Sequence, residues 1–177
     1  MAQAADPKHA FREAVGAFPT GVCVVTADRD GTPAGMTLNS FTSVSLEPLL
    51  VLVSLAHGTR TLDAVRSSER FALAILHRGQ RDVALSFAER GGDFAHHLVR
   101  RTRYGFYPVR GALAELYCDV HEIVTAGDHD LVIGHVREFI AGKGEPLVFH
   151  RGQFGGVDPD TPAPESFIEF LDEGIGW

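Results

Sequence analysis

The chain has 177 residues, 45 % hydrophobic and 22 % charged, the size and composition of a globular domain that can bury a core without covalent staples. Its 23 acidic residues outnumber 16 basic ones, a formal net charge of −7, which argues against nucleic acid or an anionic membrane as main partner because both need a positive field. Two cysteines, Cys23 and Cys118, are too few for a disulfide framework and sit in apolar runs, so they read as buried thiols of a reducing cytosol. The first residues lack a basic flank followed by an apolar stretch, and no apolar run nears the ~18–20 residues of a membrane span. The expectation is a soluble cytoplasmic protein.

Asp6 suits the cap of a first helix, Pro7 its first position, and Phe11, Ala14, Val15 and Phe18 make one apolar stripe. After Pro19, residues 21–26 (GVCVVT) read as a buried strand, Asp30-Gly31 as a turn, and residues 34–37 as the start of the returning strand. Two further strands follow at 41–46 and 49–55, separated by Pro48, then a short helix at 60–67 with Thr59 or Thr61 near its start. Residues 71–75 (FALAI) suggest another strand, and 80–87 a helix with Val83, Ala84 and Phe87 on one side. Residues 88–110 are irregular and rich in Arg, His and Gly, without periodicity. Two long β signals at 113–124 and 131–140 flank a turn at 126–129. A second turn at 142–145 leads to a last strand at 146–149. Many short strands at close intervals with a few helices read as a β-barrel with helical additions. The chain divides into a domain at 1–157 and an acidic tail at 158–177, with a short amphipathic segment at 166–171. The tail holds six acids and no Lys or Arg, so the domain itself is nearly neutral, with 17 acids against 16 bases.

The common chemical signatures are missing: no dinucleotide G-x-G-x-x-G, P-loop, C-x-x-C, H-E-x-x-H or G-x-S-x-G occurs. The adjacent His96-His97 would point apart in a strand, and no metal site is expected. Four polar features remain. Residues 35–45 (GMTLNSFTSVS) cluster hydroxyl and amide side chains between two strands. Residues 54–61 (SLAHGTRT) join a strand to a helix start and offer the hydroxyls of Ser54, Thr59 and Thr61 with the Arg60 guanidinium, either a turn chemically suited to a phosphate or an ordinary helix cap with a surface Arg. Gly127-Asp128-His129 occupies a tight turn where a histidine either faces a pocket or is solvated. Phe149-His150-Arg151 ends the last strand, with an aromatic face and a guanidinium that suit an anionic nucleotide, or a plain surface Arg.

In order and spacing these features resemble the flavin reductase-like family, the short-chain NAD(P)H:flavin oxidoreductases that serve two-component flavin-dependent monooxygenases. The resemblance is carried by FPTGVCVVTA (18–27), GMTLNSFTSVSLEPLLVLVSL (35–55), GALAELYCDV (111–120), GDHDLVIGHV (127–136) and PLVFHRGQF (146–154), and covers about residues 8–155. It implies a mainly β fold, a split β-barrel of the FMN-binding, Greek-key type with a few flanking α-helices, working as a homodimer. It implies FMN or FAD as flavin and NADH or NADPH as hydride donor, with a monooxygenase as partner. Thr37, Leu38, Asn39 and Ser40 would lie along the isoalloxazine and ribityl chain. Ser54, Leu55, Ala56, Thr59, Arg60 and Thr61 would hold the flavin phosphate, and Phe87 joins the flavin-binding set. His129 would orient nicotinamide and flavin, and Phe149, His150 and Arg151 would approach the nicotinamide nucleotide. Cys23 departs from the family, standing where a threonine is common, and residues 88–110 match no family pattern. Their Arg cluster either reaches adenine-side phosphates or is solvated loop. Other classes stay open: a flavin carrier or redox sensor without turnover, an oxidase with tightly held flavin, or heme or pyridoxine-phosphate chemistry on a related barrel.

Overall fold

The computed structural model describes residues 6–89 and 94–158. The acidic tail beyond Asp158, with the segment at 166–171, lies outside them, as do Arg90 and Asp93. Helix α1 (Pro7–Val15) starts as its sequence dictates: the Asp6 carboxylate accepts the Lys8 N–H at 3.1 Å and Pro7 fills the first turn. Its apolar stripe, however, finds no cover among the described residues. No α1 residue is buried, and Phe11 and Phe18 are 67 % and 74 % exposed.

The strands are β1 (Thr20–Gly21), β2 (Cys23–Arg29), β3 (Thr32–Leu38), β4 (Thr42–Leu46), β5 (Leu49–Ala56), β6 (Arg70–Ile75), β7 (Ala114–Ala126), β8 (His129–Ala141), β9 (Val148–His150) and β10 (Gln153–Gly155). Helices α2 (Arg60–Ser68) and α3 (Arg81–Ala88) follow β5 and β6. Seven strands form one antiparallel sheet in the order β3-β2-β6-β7-β8-β5-β4, and β1, β9 and β10 form a second, small one. The end strands β3 and β4 are consecutive in the chain, joined only by residues 39–41. The large sheet must therefore curl until its two edges approach, and because those edges do not pair, the barrel is split there. Ser40 fastens this corner to β5: its hydroxyl accepts the Ser54 N–H at 3.0 Å and donates to the Ser54 carbonyl at 3.1 Å.

Strand alternation sorts the core into two clusters. On β2, Cys23, Val25 and Ala27 face inward with Val53, Leu55, Phe71, Leu73 and Val132, and α2 adds Leu62 and Val65. Val22 and Val24 face the other way, toward Leu76, Ala84, Phe87, Val99, Tyr107, Val109 and Leu147. This two-sided burial is why GVCVVT and FALAI read as continuous apolar runs rather than alternating ones. The second cluster also settles much of the irregular stretch: Val99 and Val109 are buried and bridge to each other, and the Thr26 hydroxyl donates to the Tyr107 carbonyl at 2.8 Å. Val99, Tyr107 and Val109 thus pin the stretch 94–110 to the sheet, while Arg101, Arg103 and Arg110 stay exposed.

Two boundaries differ from the sequence reading. The turn at 126–129 shrinks to Gly127-Asp128, with Gly127 at φ +65° and Ala126 paired to His129. His129 is therefore the first residue of β8, between Ala126 and Ala56 of β5, rather than a turn residue. The strand read at 146–149 is β9, and it is not the last: the chain returns as β10 through Arg151 and Gly152, both with positive φ (+47° and +80°).

Candidate functional site

The end of β5, the loop 57–59 and the start of α2 form one wall of a cavity of about 620 Å³; β3, the end of α3 and Phe94 form the rest. Thr59 shapes the loop by capping α2: its hydroxyl donates to the Ala56 carbonyl at 2.9 Å and accepts the Leu62 N–H at 3.3 Å. The first-turn N–H groups of a helix have no intrahelical acceptors, and they carry the positive end of its dipole. Here that end and Arg60 both line the cavity, so this wall favours an anion. The opposite wall is mixed: Pro33, Ala34, Met36, Phe87 and Phe94 are apolar, and Thr37, Ser86 and Glu89 are polar. Gly35 keeps the approach of α3 to β3 unstrained: a Cβ there would stand 3.0 Å from the Phe87 ring and 3.0 Å from Thr26 Cγ2, so a larger residue would make one of them shift.

A second cleft, about 860 Å³, opens between α1 and the β9–β10 turn, lined by His9, Arg12, Phe18, Asn39, Phe149 and Arg151 among others. The Arg151 N–H donates to the Gly16 carbonyl at 3.2 Å and fixes one wall to the other. Strand β3 and its continuation link the two spaces. Thr37 lines the first and Asn39, two residues on, lines the second, while Leu38 between them turns into the core.

Of the residues singled out from sequence, Thr37, Ala56, Thr59, Arg60, Thr61 and Phe87 come together at the first cavity. Asn39, Phe149 and Arg151 come together at the second. The Thr37 hydroxyl is committed to the Ala84 carbonyl at 2.6 Å, and the Ser40 hydroxyl to Ser54. Leu55, like Leu38, has a core side chain. His150 is exposed and His129 half-exposed; neither lines the two spaces, although His129 pairs with Ala56, which does. His129 Nδ1 lies 2.7 Å from Asp128 Oδ1, and this hydrogen bond holds the Asp128 carboxyl below its ordinary value. Met36, His57 and Phe94 line the first cavity without having been singled out. Phe94 lay in a stretch with no periodicity to announce it. Gly35 did carry a signal, since a glycine inside a strand pattern marks a close approach.

Among the described residues no three His, Cys, Asp or Glu side chains gather as a metal-holding group, and no helix is long and apolar enough to cross a membrane. Both thiols are buried, and burial pushes each up to about 12. An anion-receptive helix start facing an aromatic ring, with a polar strand leading onward, is a donor set that fits a phosphorylated, ring-bearing ligand such as a flavin nucleotide.

A curled, split sheet with such a cavity at its β5–α2 turn defines a class, the flavin reductase split barrels. The chain belongs to the flavin reductase like domain family, which it matches over residues 15–158. It is 35 % identical over 176 residues to the reductase subunit HsaB of a flavin-dependent monooxygenase from Mycobacterium tuberculosis (strain CDC 1551 / Oshkosh), covering 97 % of this chain and 94 % of the relative. It is 39 % identical over 156 residues to a flavin reductase of Pseudomonas putida, covering 86 % of this chain and 91 % of the relative. The fold superposes with a TM-score of 0.82 on SgcE6, an NADH:FAD oxidoreductase of Streptomyces globisporus C-1027 in complex with NAD and FAD fragments. That match has 34 % identity and covers 91 % of this chain and all of the other.

Proposed function

We propose that the protein is an NAD(P)H:flavin oxidoreductase that reduces FMN or FAD and passes the reduced flavin to a partner monooxygenase, working as a homodimer in the cytoplasm. The observation that carries this reading is the placement of the two spaces two residues apart along β3 and its continuation, Thr37 lining the one at the anion-receptive helix start and Asn39 lining the one with Phe149 and Arg151. The named relatives are reductases of the same kind, one of them solved with both nucleotide fragments.

In this reading the flavin phosphate sits at Thr59, Arg60 and Thr61, and its ring runs along Thr37, Leu38, Asn39 and Ser40 with Phe87 beside it. The side chains of Leu38 and Leu55 are in the core, so they would contribute backbone only. Ser54 and Ser40 would keep the corner in register. Phe149, His150 and Arg151 take the nicotinamide nucleotide. When bound, the two nucleotides supply the hydride donor and acceptor, and the chain stacks and orients them. His129, tethered by Asp128, has an orienting role. The domain at 1–157 carries all of this.

The test is NADH and NADPH oxidation followed by absorbance with FMN or FAD. Oxidation at least ~100-fold above the protein-free rate is expected, a modest share of what positioning two reactants supplies. A rate equal to the protein-free one for all four pairs refutes the reading in favour of a carrier.

A further inference from the structure

His57 lines the first cavity, and its side chain is bonded to a fully buried carboxylate. Its backbone N–H donates to the Asp128 carbonyl at 3.0 Å, and its Nε2 lies 2.9 Å from Asp130 Oδ1. Asp130, the second residue of β8, is fully buried. The same carboxylate accepts the Thr125 hydroxyl at 3.0 Å and the Arg66 guanidinium from the last turn of α2. A carboxylate removed from water stays charged only when paired, and this one is held below the ordinary carboxylate range, first by the His57 hydrogen bond. An ionised acceptor at that distance assigns the Nε2 hydrogen to His57, so a hydrogen on Nδ1 as well makes the imidazole cationic.

Among the described residues, these charged groups lie near the imidazole. Asp130 faces it from β8 and Asp128 from the turn, the latter bonded to His129. Arg66 shares Asp130. Arg60 stands at the start of α2, and Glu89 at the end of α3 on the cavity's other side. We propose that His57, aimed by Asp130, is a further phosphate-binding residue of the flavin site, adding positive charge to the loop when its imidazole is protonated. Flavin affinity then carries a pH dependence that belongs to this side chain. The inference rests on the flavin reading of the cavity.

The test is fluorescence titration of FMN and of riboflavin, which lacks the phosphate, into the wild type and His57→Gln between about pH 5.5 and 8.5. At the acid end His57→Gln is expected to weaken FMN about tenfold, the worth of one charge-assisted hydrogen bond, and to leave riboflavin unchanged. The FMN phosphate titrates near pH 6 in its own right, so the difference between the two profiles reads His57. That difference should close as pH rises. Asp130→Asn should shrink it while circular dichroism reports a folded protein; if Asp130→Asn does not fold, His57→Gln alone carries the result. Equal FMN affinities at the acid end overturn the proposal, as does a riboflavin loss equal to the FMN loss, which would mark a structural role. Failure of the wild type to bind either ligand overturns the flavin reading itself and this inference with it.

Discussion

At Gly134 the absence of one methyl group sets the position of an aromatic ring. A Cβ there would stand 2.4 Å from Phe71 Cζ and 3.0 Å from the Cys118 Cβ, and Phe71 is fully buried. Gly134→Ala must push the ring into a packed interior, so a loss of about 1–3 kcal/mol is expected, read as a lower midpoint in urea. Single residues also show where the sequence was silent. Ser40 and Thr37 stand out as hydroxyls between two strands, and nothing in their spacing says that both donate to main-chain carbonyls. A hydroxyl's partner is fixed by tertiary approach, and the reach of β5 and α3 toward β3 is not written in local pattern. Arg60 and Thr61 were legible for the opposite reason, since a helix start presents its N–H groups wherever it lies.

The strands and helices were largely readable because each has a strong period or a clear break: Thr59 before α2, Asp30-Gly31 after β2, Gly127 before β8. The stretch 94–110 was not, because its fixings are side-chain contacts between distant segments. Arg100 Nη2 reaches Glu115 on β7 at 2.5 Å and the Tyr117 hydroxyl at 2.9 Å, and Tyr117 also donates to Glu115. Burial, then Glu115, pushes the Tyr117 phenol up to about 12, so it stays a donor across the working range. Arg100→Met leaves a nearly buried carboxylate without its cation. A loss of about 1–3 kcal/mol is expected, with faster amide exchange confined to 94–110 and β7 as the mark of a local fastening. A second test concerns the hairpin end of β8. The Asp130 carboxyl lies below its usual value in the folded chain, so the unfolded chain takes up its proton first as pH falls. Its contribution is complete at neutral pH and drains away below about pH 4, as the medium passes toward the folded value. Thermal midpoints of the wild type should fall more steeply over that acid range than those of Asp130→Asn.

Taken as a molecule, the chain leaves apolar side chains exposed among its described residues, including the stripe at Phe11, Val15 and Phe18, the β4 edge at Val44 and Leu46, and Phe139 and Ile140 near the end of β8. The sequence marks α1 as amphipathic but does not say which body covers it, since a helix faces its own core and a partner with the same pattern. Patches of this kind usually mark association. Under the homodimer reading, light scattering should give about twice the chain's 19.2 kDa, and Phe11→Asp with Phe18→Asp should lower it toward the single-chain value. A doubled mass that survives the double substitution would move the interface away from α1.

The buried thiols bear on durability. An enzyme that releases reduced flavin into aerated water works beside the peroxide that flavin makes with oxygen. Oxidation of cysteine proceeds through the thiolate and requires access, and Cys23 and Cys118 offer neither. The protein should therefore outlast its own by-product. A thiol-specific chromogenic reagent should leave both residues unmodified in the native protein and label both once it is unfolded; rapid labelling of the native form would show that this protection is absent.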